Sequence, residues 1–301
     1  MPKAHRVFAL FKNIREGTYT SEDPEIKIKL NEGEYAYLQE TLEQNIELRD
    51  YVREKLRYYY NEKTCVMIIC MPRIEHEGFL RKIDWNIQDQ LEAIRSESGT
   101  KADFAQELDS WGSAELDFEG IVDKHEPDIS FGHDRAKFPG VVIEIGLSQK
   151  KKSMNELAED YLIDSEASIR VVVCVKLPYH PDDKSRKAML SVWRPQLFDT
   201  PDGPRLRAVA KVEDEVFRDD EGNPVDSPGI QLRLSDFTYE ELASDELGDE
   251  DAYICISGKQ LGEYLNMAER NQRGGPRGRH RLDPGTKGEK RPRSPEEERR
   301  N

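Results

Sequence analysis

The stretch Glu126–Lys176, EPDISFGHDRAKFPGVVIEIGLSQKKKSMNELAEDYLIDSEASIRVVVCVK, restricts the fold more than any other part of the chain. Ile129–Phe131 follow a Pro-Asp pair. Val141–Ile145 form a β-branched run, Ser153–Asp164 carry Met154, Leu157, Ala158, Tyr161 and Leu162 at helical spacing, and Ile169–Val175 are nearly all apolar. The pattern predicts strand, strand, helix, strand. A helix between the last two strands makes them parallel neighbours, buried on both faces.

Glu144 stands inside the second of these runs. A carboxylate within a doubly buried strand is costly unless it is paired or holds a metal. Asp128 begins the preceding strand and can lie beside it. Two converging carboxylates repel each other unless a cation sits between them, and a hard ion such as Mg²⁺ or Mn²⁺ suits such a pair.

Pro127-Asp128, a spacer, Glu144 at the end of an apolar strand, then a helix and a further strand resemble the PD-(D/E)XK nuclease superfamily. The phrases MPRIEHEGF (Met71–Phe79), PDISF, PGVVIEIGLSQKKK, LAEDYLIDS and SVWRP (Ser191–Pro195) are similar to a group of fungal proteins with that fold and to the bacterial Uma2-like endonucleases, over roughly residues 64–268. The resemblance implies an α/β protein with a mixed sheet and a restriction-endonuclease-like core. It also implies a hydrolase that cuts phosphodiester bonds of DNA or RNA with Mg²⁺ or Mn²⁺, leaving a 5′-phosphate and a 3′-hydroxyl, and that works as a homodimer. Asp128 and Glu144 would hold the metal with the Ile145 carbonyl and a carboxylate of the first core helix, Glu77 before Glu107.

The superfamily places Lys two residues after the acidic residue, where strand alternation aims both side chains at one face. Here that residue is Gly146. A Lys from the following helix can reach the same place. Lys150 and Lys152 are therefore the candidates to steady the pentacovalent charge or orient water, with Gln149 beside them and Lys151 toward a phosphate. Should none of them serve, the fold remains as a binding or interaction scaffold without catalysis. A small-molecule or protein-modifying enzyme on this fold has no positive feature in the sequence.

The remainder of the chain is read around this core. Its 301 residues allow one large or two ordinary domains. Residues 1–30 are polar and expected to be irregular. Leu38, Leu42, Ile46, Val52, Leu56 and Tyr59 predict a helix over 31–60 that packs on the sheet, and Tyr58-Tyr59-Tyr60 either stack on bases or place at least one ring in the core while the others close the helix end. Thr64–Cys70 predict a strand. His76 and Glu77 precede a helix predicted over Gly78–Arg95. A second helix is expected over Ala102–Trp111 and a strand over Ala114–Val122. His133 and Asp134 fall in the loop between the two motif strands, where His133 either acts on water or faces solvent. A strand follows in Ser185–Pro195, with Trp193 buried and Arg194 over a pocket. Arg207–Phe217 and Ile230–Leu234 alternate well enough for a hairpin across Asp219–Pro224. Ser235–Glu250 read as acidic surface, Tyr253–Ile256 as a strand and Gly258–Glu269 as a closing helix. The expected organisation is an N-terminal segment 1–30, one nuclease-like domain 31–269 (core 64–176, extension 185–269) and a tail 270–301.

No run of about 18 apolar residues occurs, and the N-terminus lacks a secretory pattern, so no membrane span and an intracellular, cytoplasmic or nuclear, setting are expected. Cys65, Cys70, Cys174 and Cys255 all lie in apolar contexts without finger-like spacing, which reads as buried free thiols. The net charge is −15, yet residues 270–301 carry 11 Lys or Arg against 5 Asp or Glu. That Arg/Gly/Pro-rich tail is expected to be disordered, with Lys290, Arg291 and Arg293 as its densest basic cluster, able to attract nucleic acid that the acidic body repels.

Overall fold

A computed structural model describes residues 2–19, 25–61, 64–70, 74–118, 125–147, 151–178, 185–248 and 250–272. It is a mixed α/β protein with eight helices and a mixed six-stranded sheet among those residues.

The described residues from Pro2 to Cys70 fold around their own apolar cluster. Helix α1 (Pro2–Arg15) buries Ala4, Val7 and Phe11 along one face. After strand β1 (Glu25–Lys29), Asn31 caps α2 (Glu32–Glu43). Its Oδ1 accepts from the Glu34 N–H at 2.8 Å, and Glu34 Oε2 accepts from the Asn31 N–H at 3.2 Å, a reciprocal cap. Asn45 caps α3 (Ile46–Lys55), and a hairpin follows, β2 (Arg57–Asn61) and β3 (Val66–Cys70). The three strands pair antiparallel in the order β1-β3-β2.

Four expectations change here. Residues 2–15 and 25–29 are regular, not irregular, because three well-spaced apolar residues suffice to seat α1. The helical stripe of 31–60 is two helices broken at the Asn45 cap, and Ile46 on it is 62% exposed. Tyr58 and Tyr60 lie in a strand and not at a helix end; both rings are core, as expected of at least one of the three, and Tyr60 stacks on Tyr35 at 3.8 Å, so they form no open platform. The strand at 66–70, expected in the main core, pairs only within this small sheet.

The large sheet has the order β4-β5-β6-β7-β8-β9. Its strands are β4 (Leu108–Gly112), β5 (Ile129–His133), β6 (Val141–Leu147), β7 (Val171–Leu177), β8 (Ala188–Thr200) and β9 (Gly203–Arg218). Only β6 and β7 run parallel, joined by α6 (Lys151–Asp164), as the strand–helix–strand pattern requires. Alternation splits the side chains cleanly. Val141, Ile143, Ile145, Val171, Val173 and Val175 face α4 (Ile74–Arg95) and α8 (Gly258–Gln272). Val142, Val172 and Cys174 face α6, where Met154, Ala158, Tyr161 and Leu162 are buried against them.

The chain enters β6 through Gly140. A Cβ there would lie 2.1 Å from the Phe237 carbonyl carbon and 2.3 Å from the Asp236 oxygen, so only glycine lets that backbone pass. Phe237 and Asp236 belong to a 3-10 turn (Leu234–Phe237) beside α7 (Glu240–Leu247). The segment Ser235–Glu250, expected to be acidic surface, buries Phe237, Leu242 and Leu247.

Several further boundaries differ from expectation. The helix expected over 102–111 is α5 (Thr100–Gln106) followed by β4. In 114–122, Leu116 makes a single bridge to His125 in place of a strand, and 119–124 lie outside the described residues. The long hairpin is β8–β9, turning at Thr200–Gly203. The segment 230–233 is β10 (Ile230–Arg233), which pairs with β11 (Tyr253–Ile256) and not with 207–217. The pairing of β8 with β9 shifts register at three places, and that of β4 with β5 at one. Trp193 is half-buried, and Arg194 donates to both Asp236 carboxylate oxygens through Nη1 and Nη2. Of the thiols, Cys174 is buried, Cys65 half-buried and Cys255 exposed. No helix among the described residues is long and apolar enough to cross a membrane.

Candidate functional site

The antiparallel register of β5 and β6 pairs Ile129 with Ile143, which sets Asp128 opposite Glu144 one step further along. Both carboxylates are nearly inaccessible, 7% and 4% exposed. Each is met by specific donors. The Ile145 N–H donates to Asp128 Oδ2 at 2.7 Å. The Tyr161 hydroxyl, from α6, donates to Glu144 Oε1 at 2.7 Å. In the sequence Tyr161 is one core position of the helical stripe. Its hydroxyl was the available signal, since a buried phenol requires a partner.

The third arm comes from the first turns of α4. His76 Nε2 lies 3.3 Å from the Ile145 carbonyl oxygen and 3.4 Å from Asp128 Oδ2, and its Nδ1 lies 3.6 Å from Glu77 Oε1. Burial alone would push this imidazole down. The Asp128 charge and hydrogen bond, followed by Glu77, outweigh burial and hold it at about 10, so the ring is an imidazolium at neutral pH. It is therefore His76 that reaches Asp128, while Glu77 is half exposed and touches the outer ring nitrogen.

On the face of Glu144 the neighbouring strand supplies Cys174 and Lys176. The parallel register pairs Glu144 with Cys174 and Gly146 with Lys176. Burial first, then the negative charge of Glu144, pushes the Cys174 thiol far up, against a smaller opposing pull from Lys176. Cys174 is thus an inert, protonated neighbour. Lys176 is 1% exposed and ion-paired with Asp214 of β9. Gly146 is closed off differently: a Cβ there would come 2.7 Å from Met154 Sδ. Lys176 escaped the sequence reading because it looks like the end of an apolar run; only the register reveals its position beside Gly146.

The other candidates are placed as follows. Gln149 and Lys150 lie outside the described residues; Lys151 and Lys152 open α6, and their side chains are likewise outside the description. Lys290, Arg291 and Arg293 are in the undescribed 273–301. His133 ends β5, some 17 Å along the strand from Asp128 at about 3.3 Å per residue. It is fully buried, with Nε2 3.0 Å from Glu246 Oε2, and is neither a loop residue nor near the carboxylate pair. Burial, then Arg135, lowers its pKa. Glu107 adjoins that same far end, because Leu108 pairs with His133. Among the described residues no three His, Cys, Asp or Glu side chains converge in metal-binding geometry.

The chain matches no protein-family model and no curated protein. The functional reading accordingly rests on the site itself.

Proposed function

We propose that the chain is a metal-dependent nuclease of the PD-(D/E)XK type, with Asp128, Glu144 and the Ile145 carbonyl as its metal-binding set. The observation that carries this reading is the pair of buried carboxylates opposed on adjacent strands, with the Ile145 carbonyl oxygen and the His76 imidazolium beside Asp128. The donor chemistry fits a hard divalent cation: two carboxylates and one backbone carbonyl. The His76 imidazolium, close to both the carbonyl and Asp128, marks the place as one that favours positive charge. Bound Mg²⁺ or Mn²⁺ would polarise a phosphodiester and activate water there. To hold a metal there, Asp128 Oδ2 would have to be released by His76. Tyr161 keeps Glu144 oriented. A cation beyond the strand is needed for the developing phosphorane charge, and Lys150 to Lys152 remain the nearest in sequence.

A second reading has its own observation. Gly146 is packed under Met154, and Lys176, which the register brings beside it, is committed to Asp214. A protein of this architecture without a motif lysine serves as a nucleic-acid-binding or interaction scaffold. One experiment separates the readings: cleavage of mixed DNA and RNA substrates with Mg²⁺ or Mn²⁺ by wild type, Asp128→Asn and Glu144→Gln. Metal-dependent products with 5′-phosphates, lost in both variants, support the nuclease. Cleavage that survives both substitutions overturns it, and a folded wild type inert on every substrate favours the scaffold.

A further inference from the structure

We propose that the N-terminal unit, residues 2–70, is a helix-turn-helix module that docks on duplex nucleic acid through α3. The element order is helix, strand, helix, helix, strand, strand, with the sheet ordered β1-β3-β2 and wholly antiparallel. Helices α2 and α3 are joined by Gln44 and Asn45 alone, and Asn45 caps α3. All three helices pack on one another, and the β2–β3 hairpin follows α3 directly. A second helix presented by a short turn, with a hairpin beside it, is the arrangement by which such modules enter a major groove.

Helix α3 carries Arg49, Arg53 and Lys55 among Glu47, Asp50 and Glu54, and the two arginines are the groups that suit phosphate and base edges. Ile46 at its start is 62% exposed. Arg53 and Arg49 share one carboxylate, Glu43, at 2.7 and 3.3 Å, and Arg49 also holds Asp50. The Arg53 and Glu43 side chains are 62% and 49% exposed. Exposed ion pairs of this kind contribute little to folding, so a phosphate can replace Glu43 at small cost and take two guanidiniums at once. Helix α1, which packs against α3, carries Lys3, Arg6, Lys12 and Arg15 and no acidic residue.

The charge is also segregated in the right sense. Residues 1–70 hold 11 Lys or Arg and 12 Asp or Glu, whereas residues 71–269 hold 23 against 43. A polyanion is repelled strongly by the body, net −20, and only weakly by this unit, net −1. The placement explains how an acidic protein engages nucleic acid, and it does not depend on whether Asp128 and Glu144 support catalysis.

The test is fluorescence anisotropy of a short labelled DNA duplex with the full-length protein in EDTA, over a salt series. Arg49→Ala/Arg53→Ala should weaken binding on the order of tenfold at roughly 0.1 M salt and lower the log–log salt slope by about 2. Arg53→Glu, at a highly exposed site, should weaken it with unchanged circular dichroism, which guards against a folding artefact. The reference variant is Lys290→Ala/Arg291→Ala/Arg293→Ala. Duplex binding that is absent in wild type, or unaffected by the α3 substitutions, or lost only in the tail variant, overturns the proposal. Cleavage activity enters none of these readouts, so failure here is distinct from failure of the nuclease reading.

Discussion

Replacing Tyr161 by Phe removes one hydroxyl from a position with no solvent access and leaves Glu144 Oε1 without the 2.7 Å donor it has now. A hydrogen bond to a charged acceptor contributes about 1.5–3 kcal/mol. With Glu144 4% exposed, water replaces the lost donor poorly, and the expected cost is about 2 kcal/mol. For a chain of 301 residues that corresponds to a fall in Tm of about 3 °C. The cycle through Glu144→Gln gives the sharper test. The amide oxygen still accepts from Tyr161, but a neutral bond has roughly half the strength of a charge-assisted one. In the Gln background Tyr161→Phe should therefore cost about 1 kcal/mol, a coupling of about 1 kcal/mol between the two sites. Urea unfolding followed by tryptophan emission measures it, since Trp193 packs against the cluster that contains Tyr161. A cost below about 0.5 kcal/mol for Tyr161→Phe in the wild-type background, or equal costs in both backgrounds, would refute a charge-assisted bond at this site.

Three other perturbations have defined outcomes. His76 is held at about 10 in the fold against about 6.5 in the unfolded chain; its contribution is fully present below about pH 6.5 and lost as pH rises through about 10. The urea midpoint of His76→Gln should thus trail wild type at pH 6 and converge with it near pH 11, and a gap independent of pH would show the imidazolium contact to be absent. Lys176→Met leaves Asp214, 25% exposed, without its buried partner, and should cost about 1–3 kcal/mol after allowance for that exposure; adding Asp214→Asn should recover part of the loss in chemical denaturation. Gly140→Ala drives a methyl into the backbone of 236–238 and should cost more than about 3 kcal/mol or abolish soluble expression, and a variant of wild-type stability would mean that the backbone approach is looser than described.

The parts of the fold that could be read from the sequence are those where period and burial agree. In β6, α6 and β7, unbroken apolar runs flank a helical stripe, and the carboxylate of Glu144 interrupts one of them. The N-terminal unit was opaque for the opposite reason. Its helix α1 buries only three fully apolar positions in a basic segment, and the stripe of α2 continues in phase into α3, so two helices look like one. The alternation of Tyr58 and Tyr60 was the strand signal there, hidden by Tyr59 between them. At the site, Asp128 and Glu144 stand out because buried charge is anomalous in a strand. Tyr161, Cys174 and Lys176 do not, because each fits its own element as ordinary core or strand end, and only pairing across strands relates them to Glu144. The hairpin partner of β9 was misjudged because the Asp219–Pro224 turn is richer in turn residues than Thr200–Gly203, although the latter joins the longer strands.

The two outer strands of the large sheet bear on how the protein behaves when concentrated. On one side β4 is five residues long and its pairing is interrupted by a bulge. On the other, β9 displays Arg205, Arg207, Lys211 and Glu213 to solvent along a hairpin whose register shifts three times. Neither margin offers the flat, uncharged run of free amides and carbonyls on which another chain could extend the sheet. The protein should therefore resist fibril growth by strand addition at either margin of this sheet.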